Sequence, residues 1–134
     1  MTKKTSAKHD HDDIKPQFDE ALRLKEAGDF SEAAKIFLRL ARQHPDVASV
    51  HGMLGHVQQE MGNIRDAADS YRRAASISPG SELASISLFH ALYELNDLDG
   101  AFEEMRRFRS RGPSQEYDLL ISEMKGELPD EPEE

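Results

Sequence analysis

The sequence predicts an all-α fold: a solenoid of three helix-turn-helix repeats closed by one further helix. Three observations carry this. First, the punctuation recurs every 34 residues. Gly28, Gly62 and Asn96 are in register, and so are Pro45, Pro79 and Pro113. Second, two packing columns keep the same period: Ala33, Ala67 and Ala101, and Phe37, Tyr71 and Met105. Third, each stretch between these marks carries apolar residues at helical spacing. Four columns at one period over three copies describe stacked helical hairpins.

Each column has a physical reason. Gly28 and Gly62 stand where a helix ends and the chain turns through φ > 0, which Gly adopts without a Cβ penalty. Asn96 is the next-best residue there. The alanines let antiparallel helices approach closely. Phe37 and Tyr71 fill the space between neighbouring repeats. The prolines cannot continue a helix and restrict the residue before them.

These residues resemble the tetratricopeptide repeat (TPR) family. The central copy matches best, through Leu54, Gly55, Gly62, Ala67, Tyr71, Ala74 and Pro79. The resemblance covers about Ile14 to Gln115. It implies a right-handed α-α superhelix whose first helices line a concave surface. For function it implies little more than binding of a protein or peptide, because the same fold hosts many roles.

In chain order, residues 1–13 are polar and aperiodic and read as a disordered tail. Within them His9-Asp10-His11-Asp12-Asp13 has metal-binding residue types but reads as a solvated run, without the rigid shell a site needs. The first repeat spans about 14–47, with Pro16 in the first turn of its opening helix. Asp29-Phe-Ser-Glu32 reads as a capping box for its second helix. Gln17, Glu20 and Leu40 depart from the family pattern, as a terminal repeat with one unpartnered face can. The second repeat spans 48–81. The third spans about 82–115, opened by Ser81-Glu82 as cap and acid. Phe89 and Phe108 replace small residues of the other copies, which predicts wider helix spacing there. Arg106, Arg107, Arg109 and Arg111 complement the dipole at the end of its second helix. Residues 114–126 read as a capping helix, with Ser114 as cap, Tyr117, Leu120, Ile121 and Met124 on one side, and Gly126 as its end. Residues 127–134 read as an acidic, Pro-broken disordered tail.

Composition narrows the function classes. There is no Cys, hence no disulfide framework or thiolate site. No apolar run approaches a membrane span, and the N-terminus lacks the apolar core of a secretory signal, so a cytoplasmic protein is expected. The net charge is −9, of which residues 127–134 carry −5. A mildly acidic body argues against nucleic-acid binding, which needs cations for phosphates. No nucleophile-base-orienter set or Gly-rich phosphate loop is present, so an enzyme is not expected, and neither is a cofactor.

The family's groove positions fall on Lys15, Phe18, Leu22, Lys25 and Glu26 in the first copy. In the second they are Ser49, Gly52, Met53, His56, Gln59 and Glu60. In the third they are Leu83, Ile86, Ser87, His90, Tyr93 and Glu94, with Tyr117 added from the capping helix. His56/Glu60 and His90/Glu94 are i, i+4 pairs one repeat apart, so two imidazoles and two carboxylates are expected on one groove wall. Their types suit a pH-sensitive or metal contact, or a polar grip on a partner. Glu26, Glu60 and Glu94 form an acidic row beside apolar Phe18, Leu22, Met53, Leu83, Ile86 and Tyr93. The expected partner is a segment with apolar anchors and Lys or Arg. The Lys/Asn clamp by which some TPR domains hold acidic C-termini is missing.

The layout is similar to the small three-repeat chaperones of bacterial secretion systems, without their Pro-rich stretch before the third repeat. The leading expectation is a chaperone or adaptor, as a monomer or weak homodimer. An immunity or antitoxin-like inhibitor would turn the same acidic groove on a basic toxin. A self-associating scaffold would use Phe89 and Phe108 at a displaced cap.

Overall fold

The computed structural model describes the backbone of residues 3–127 and the side chains of 14–126. The described residues form seven helices and no strand: α1 (Lys3–Glu26), α2 (Phe30–Gln43), α3 (Ala48–Glu60), α4 (Ile64–Ile77), α5 (Glu82–Glu94), α6 (Leu98–Arg109) and α7 (Gln115–Glu127). From α1 through α6 each helix packs on its successor up to the α5–α6 pair, and α7 lies against α5. This is the superhelical solenoid expected from the 34-residue period. The expected acidic tail beyond Glu127 lies outside the described residues.

The turns form as their residue types require. Gly28, Gly62 and Asn96 have φ of 84°, 83° and 66°. Each donates its N–H to the carbonyl three residues back, and the following residue donates to the carbonyl five back, as in Asp29 to Leu24 at 2.8 Å. This Schellman pairing satisfies carbonyls that a helix end leaves open.

The helix starts divide. Ser81 Oγ accepts from the Ala84 N–H at 3.1 Å, and Asp97 Oδ1 accepts from the Gly100 N–H at 3.0 Å. Asp29 occupies the N-cap of α2 without a side-chain cap bond, so the expected capping box does not form. Pro16 lies inside α1 rather than in its first turn, because the helix already begins at Lys3. Continuing through Pro16 forgoes one backbone hydrogen bond. Gly126 does not end α7, which runs on to Glu127.

The core follows the columns. Ala33, Ala67 and Ala101 are fully buried, and Phe37, Tyr71 and Met105 nearly so. At the N-terminal end Phe37 packs with Ala21, Leu54 and Val57, and edge-on to Phe18 at 5.5 Å. At the C-terminal end Phe89 and Phe108 join Tyr71, Leu88, Leu92 and Tyr117. Both rings are buried beneath α7, so the surface that a scaffold reading would use is covered.

The central repeat shows how tightly the small residues are specified. A Cβ on Gly55 would stand 2.7 Å from Tyr71 Cε1, well inside contact distance. That ring is held by its hydroxyl, which donates to Gln59 Oε1 at 2.7 Å. Gly55→Ala should therefore destabilise the protein by about 1–3 kcal/mol through overpacking. Gly52, one turn earlier on α3, meets nothing within 4 Å. Gly52→Ala should stabilise by about 0.5–1 kcal/mol from helix propensity alone. Denaturant melts of the two variants check this, and equal signs would contradict it.

Candidate functional site

The first helix of each repeat offers one partly exposed face. On α3 it carries Ser49, Gly52, Met53, His56, Gln59 and Glu60, and on α5 Leu83, Ile86, Ser87, His90, Tyr93 and Glu94. The opposite faces are buried, through Val50, Leu54 and Val57 on α3 and Ser85, Leu88, Phe89 and Leu92 on α5. Neither helix contains a Lys or Arg, so this wall is neutral to acidic.

Between α3 and α5 lies a pocket of about 320 Å³. Met53, His56 and Gly52 form one side, Leu83, Ala84 and Ser87 the other, and Tyr71 and Ala74 of α4, with Ser78 at its C-cap, reach its floor. The absent side chain of Gly52 opens the space. Leu83 is 73% exposed at the rim, an unusual position for a large apolar group. Burial pushes the Tyr71 hydroxyl up to about 12, with the Glu60 charge adding to the effect, so it stays a donor.

A second pocket, of about 210 Å³, lies between α5 and α7. It is lined by Phe89, His90 and Tyr93 on α5, and by Leu120, Glu123 and Met124 on α7. His56 lines the first pocket and His90 the second. Among the described residues no three His, Asp or Glu side chains come together as a metal-binding group.

The remaining sequence-predicted positions divide between groove and packing. Phe18 and Leu22 are half-buried against the N-terminal core, and Lys25 lies mostly covered, 3.5 Å from Glu26. Ile86 packs partly into the C-terminal core. The Gln59 carbonyl is engaged by Tyr71, so it supports the groove from behind. Glu60 and Glu94 are exposed.

Tyr117 is not in the groove. It is fully buried, and its hydroxyl lies 2.7 Å from Ser85 Oγ and donates to the Ser85 carbonyl at 3.2 Å. Burial pushes it up to about 12, and the bond to Ser85 partly offsets this. Glu104 accepts from Ser85 Oγ at 2.7 Å and from Arg107 through both carboxylate oxygens, at 3.0 and 2.6 Å. Arg107 also donates to the Pro79 carbonyl at 3.2 Å. Ser114 Oγ donates to Glu82 at 2.6 Å and accepts from the Tyr117 N–H at 3.1 Å. This network fixes α7 alongside α5. The groove residues missed in the sequence, Leu120, Glu123 and Met124, follow from that docking. Their signal was the Ser81/Ser114 pair. Both serines cap their own helix through the third residue on, and Ser114 also ties the start of α7 to Glu82 at the start of α5.

On the outer face α4 and α6 enclose a groove of about 520 Å³, between Arg72, Pro79 and Arg107 on one hand and Leu88, Leu92 and Glu103 on the other. Its charges are mixed, and Arg72 and Arg107 pair with Asp69 and Glu104.

No curated protein sequence matches this chain. Among solved structures, it is similar to the Yersinia enterocolitica type III secretion chaperone SycD in complex with a peptide of the translocator YopD. That match has 18% identity over 86% of this chain and 88% of the other, with a TM-score of 0.72. PcrH in complex with the chaperone binding region of PopD is 24% identical over 75% of each chain, with a TM-score of 0.68. A chain of the CopN–Scc3 complex is 16% identical over 86% of this chain and 68% of the other, with a TM-score of 0.74. At these identities the likeness is one of fold. Among the described residues no helix is long and apolar enough to cross a membrane. The sequence pattern of the tetratricopeptide repeat matches residues 18–82 and 53–116, and with the 34-residue columns and the stacked hairpins it shows that the chain belongs to the tetratricopeptide repeat family.

Proposed function

We propose that this protein is a non-enzymatic interaction module, a small chaperone or adaptor that holds a segment of a partner protein in its concave groove. The observation that carries this is the α3–α5 pocket, concave, mostly apolar and fringed by a few polar groups, the usual make-up of a binding site. Met53 and Leu83 receive an apolar anchor, while His56, Ser49 and Ser87 offer polar contacts that orient it. The exposed Glu60 and Glu94 favour a partner with Lys or Arg. Two of the similar solved structures are complexes with a segment of another protein, which supports the reading.

The test uses Gly52→Leu, a side chain built into open space. The variant keeps its fold and fills the pocket. Peptides selected on the wild-type chain from a random 12-residue display library should bind it at least about tenfold more weakly, or about 1.4 kcal/mol. Unchanged affinity, measured by fluorescence anisotropy with matching circular dichroism, would overturn the proposal.

A further inference from the structure

We infer that α7 adds a further helix to the groove wall beside α5, and that the α5–α7 pocket takes one Lys or Arg side chain of the held segment. This rests on the groove reading above. The pocket walls suit an aliphatic stem ending in a cation. Leu120 and Met124 are half-buried, and the Tyr93 ring is 44% exposed, stacked on Phe89 at 5.8 Å. Lys and Arg bury such stems against apolar surface while the charged head stays at a polar rim. The open Tyr93 face adds a cation–π contact.

The charge at the pocket decides between occupants. Glu123 lines it, exposed and without a salt bridge among the described residues. Glu94 follows His90 at i+4 on the same face of α5, also without one. The α5 helix has no cation to neutralise them, and Lys125 is the one cation of α7. An acidic side chain would be repelled, and an apolar one would gain nothing from the solvated carboxylates. A basic one satisfies both walls.

The two pockets lie between successive leading helices, α3–α5 and α5–α7, so one segment lying across α5 can reach both.

The experiment uses the full chain and the capped peptides selected above. Each is compared with versions whose basic residue becomes norleucine or Glu. Glu123→Arg should weaken the selected peptide about tenfold, leave the norleucine version within about twofold, and improve the Glu version. Selected peptides lacking a basic residue would overturn the inference, and so would equal losses for all three peptides, or none. If Gly52→Leu abolishes binding while Glu123→Arg does nothing, only this inference fails. If Gly52→Leu leaves binding intact, the groove reading fails first.

Discussion

Phe89→Ala should destabilise the protein by about 3–5 kcal/mol, the range for emptying a large buried aromatic site. Phe89 is 1% exposed and meets four other rings: His90 and Tyr93 at 5.8 Å, Phe102 at 5.4 Å and Tyr117 at 5.8 Å. It stands where the first two repeats carry Ala21 and Gly55, so nothing small occupies the gap it fills. The expected fall in melting temperature is roughly 10–20 °C. Phe89→Leu, which keeps most of the volume, should lose much less. In a solenoid each repeat contacts only its neighbours, so the loss should concentrate in α5, α6 and α7. Amide exchange should rise there, while α1 and α2 keep most of their protection. A loss below about 1 kcal/mol, or exchange rising evenly along the chain, would contradict this account.

Glu104→Ala should cost about 2–3 kcal/mol. The residue is 9% exposed, and its truncation removes the acceptor of the wholly buried Ser85 hydroxyl. The buried hydroxyl is then left with the Tyr117 oxygen, 2.7 Å away, as its remaining partner, and the loss lies within the about 1–3 kcal/mol that bounds a buried donor left unpaired. The Arg107 side chain is 37% exposed and can turn to water, so its share is discounted. Glu104→Gln preserves the shape and one acceptor and should cost less. The sharper measurement is a double-mutant cycle with Ser85→Ala. Residues in one network should couple by more than about 0.5 kcal/mol, and additive losses would show that Glu104 acts elsewhere. The cycle also reports on the groove. The same hydroxyl meets Tyr117, so loosening it frees α7 and with it the Glu123 wall.

Much of this was legible in residue order. The turn glycines and Asn96 announced themselves because φ > 0 leaves few residue choices. Buried Ala33, Ala67 and Ala101 were legible because close helix packing excludes anything larger. The groove faces of α3 and α5 followed from the repeat. The misreadings have physical causes. Tyr117 looked available because one polar atom on an aromatic suggests a surface, but that hydroxyl finds its partner inside, on Ser85. The Asp29 capping box had the right letters, yet no bond forms, because a capping pattern does not fix the N-cap side-chain geometry.

The sequence by itself determined the number of hairpins and the residues at which each one turns. Those depend on local backbone preference and on a periodicity that each copy repeats. Only the tertiary structure decided where α7 sits, that its Leu120, Glu123 and Met124 complete a second hollow, and that Gly52 leaves the first one open. These depend on hydrogen bonds and ring contacts between residues about thirty positions apart, such as Ser85 with Tyr117, which no local pattern encodes.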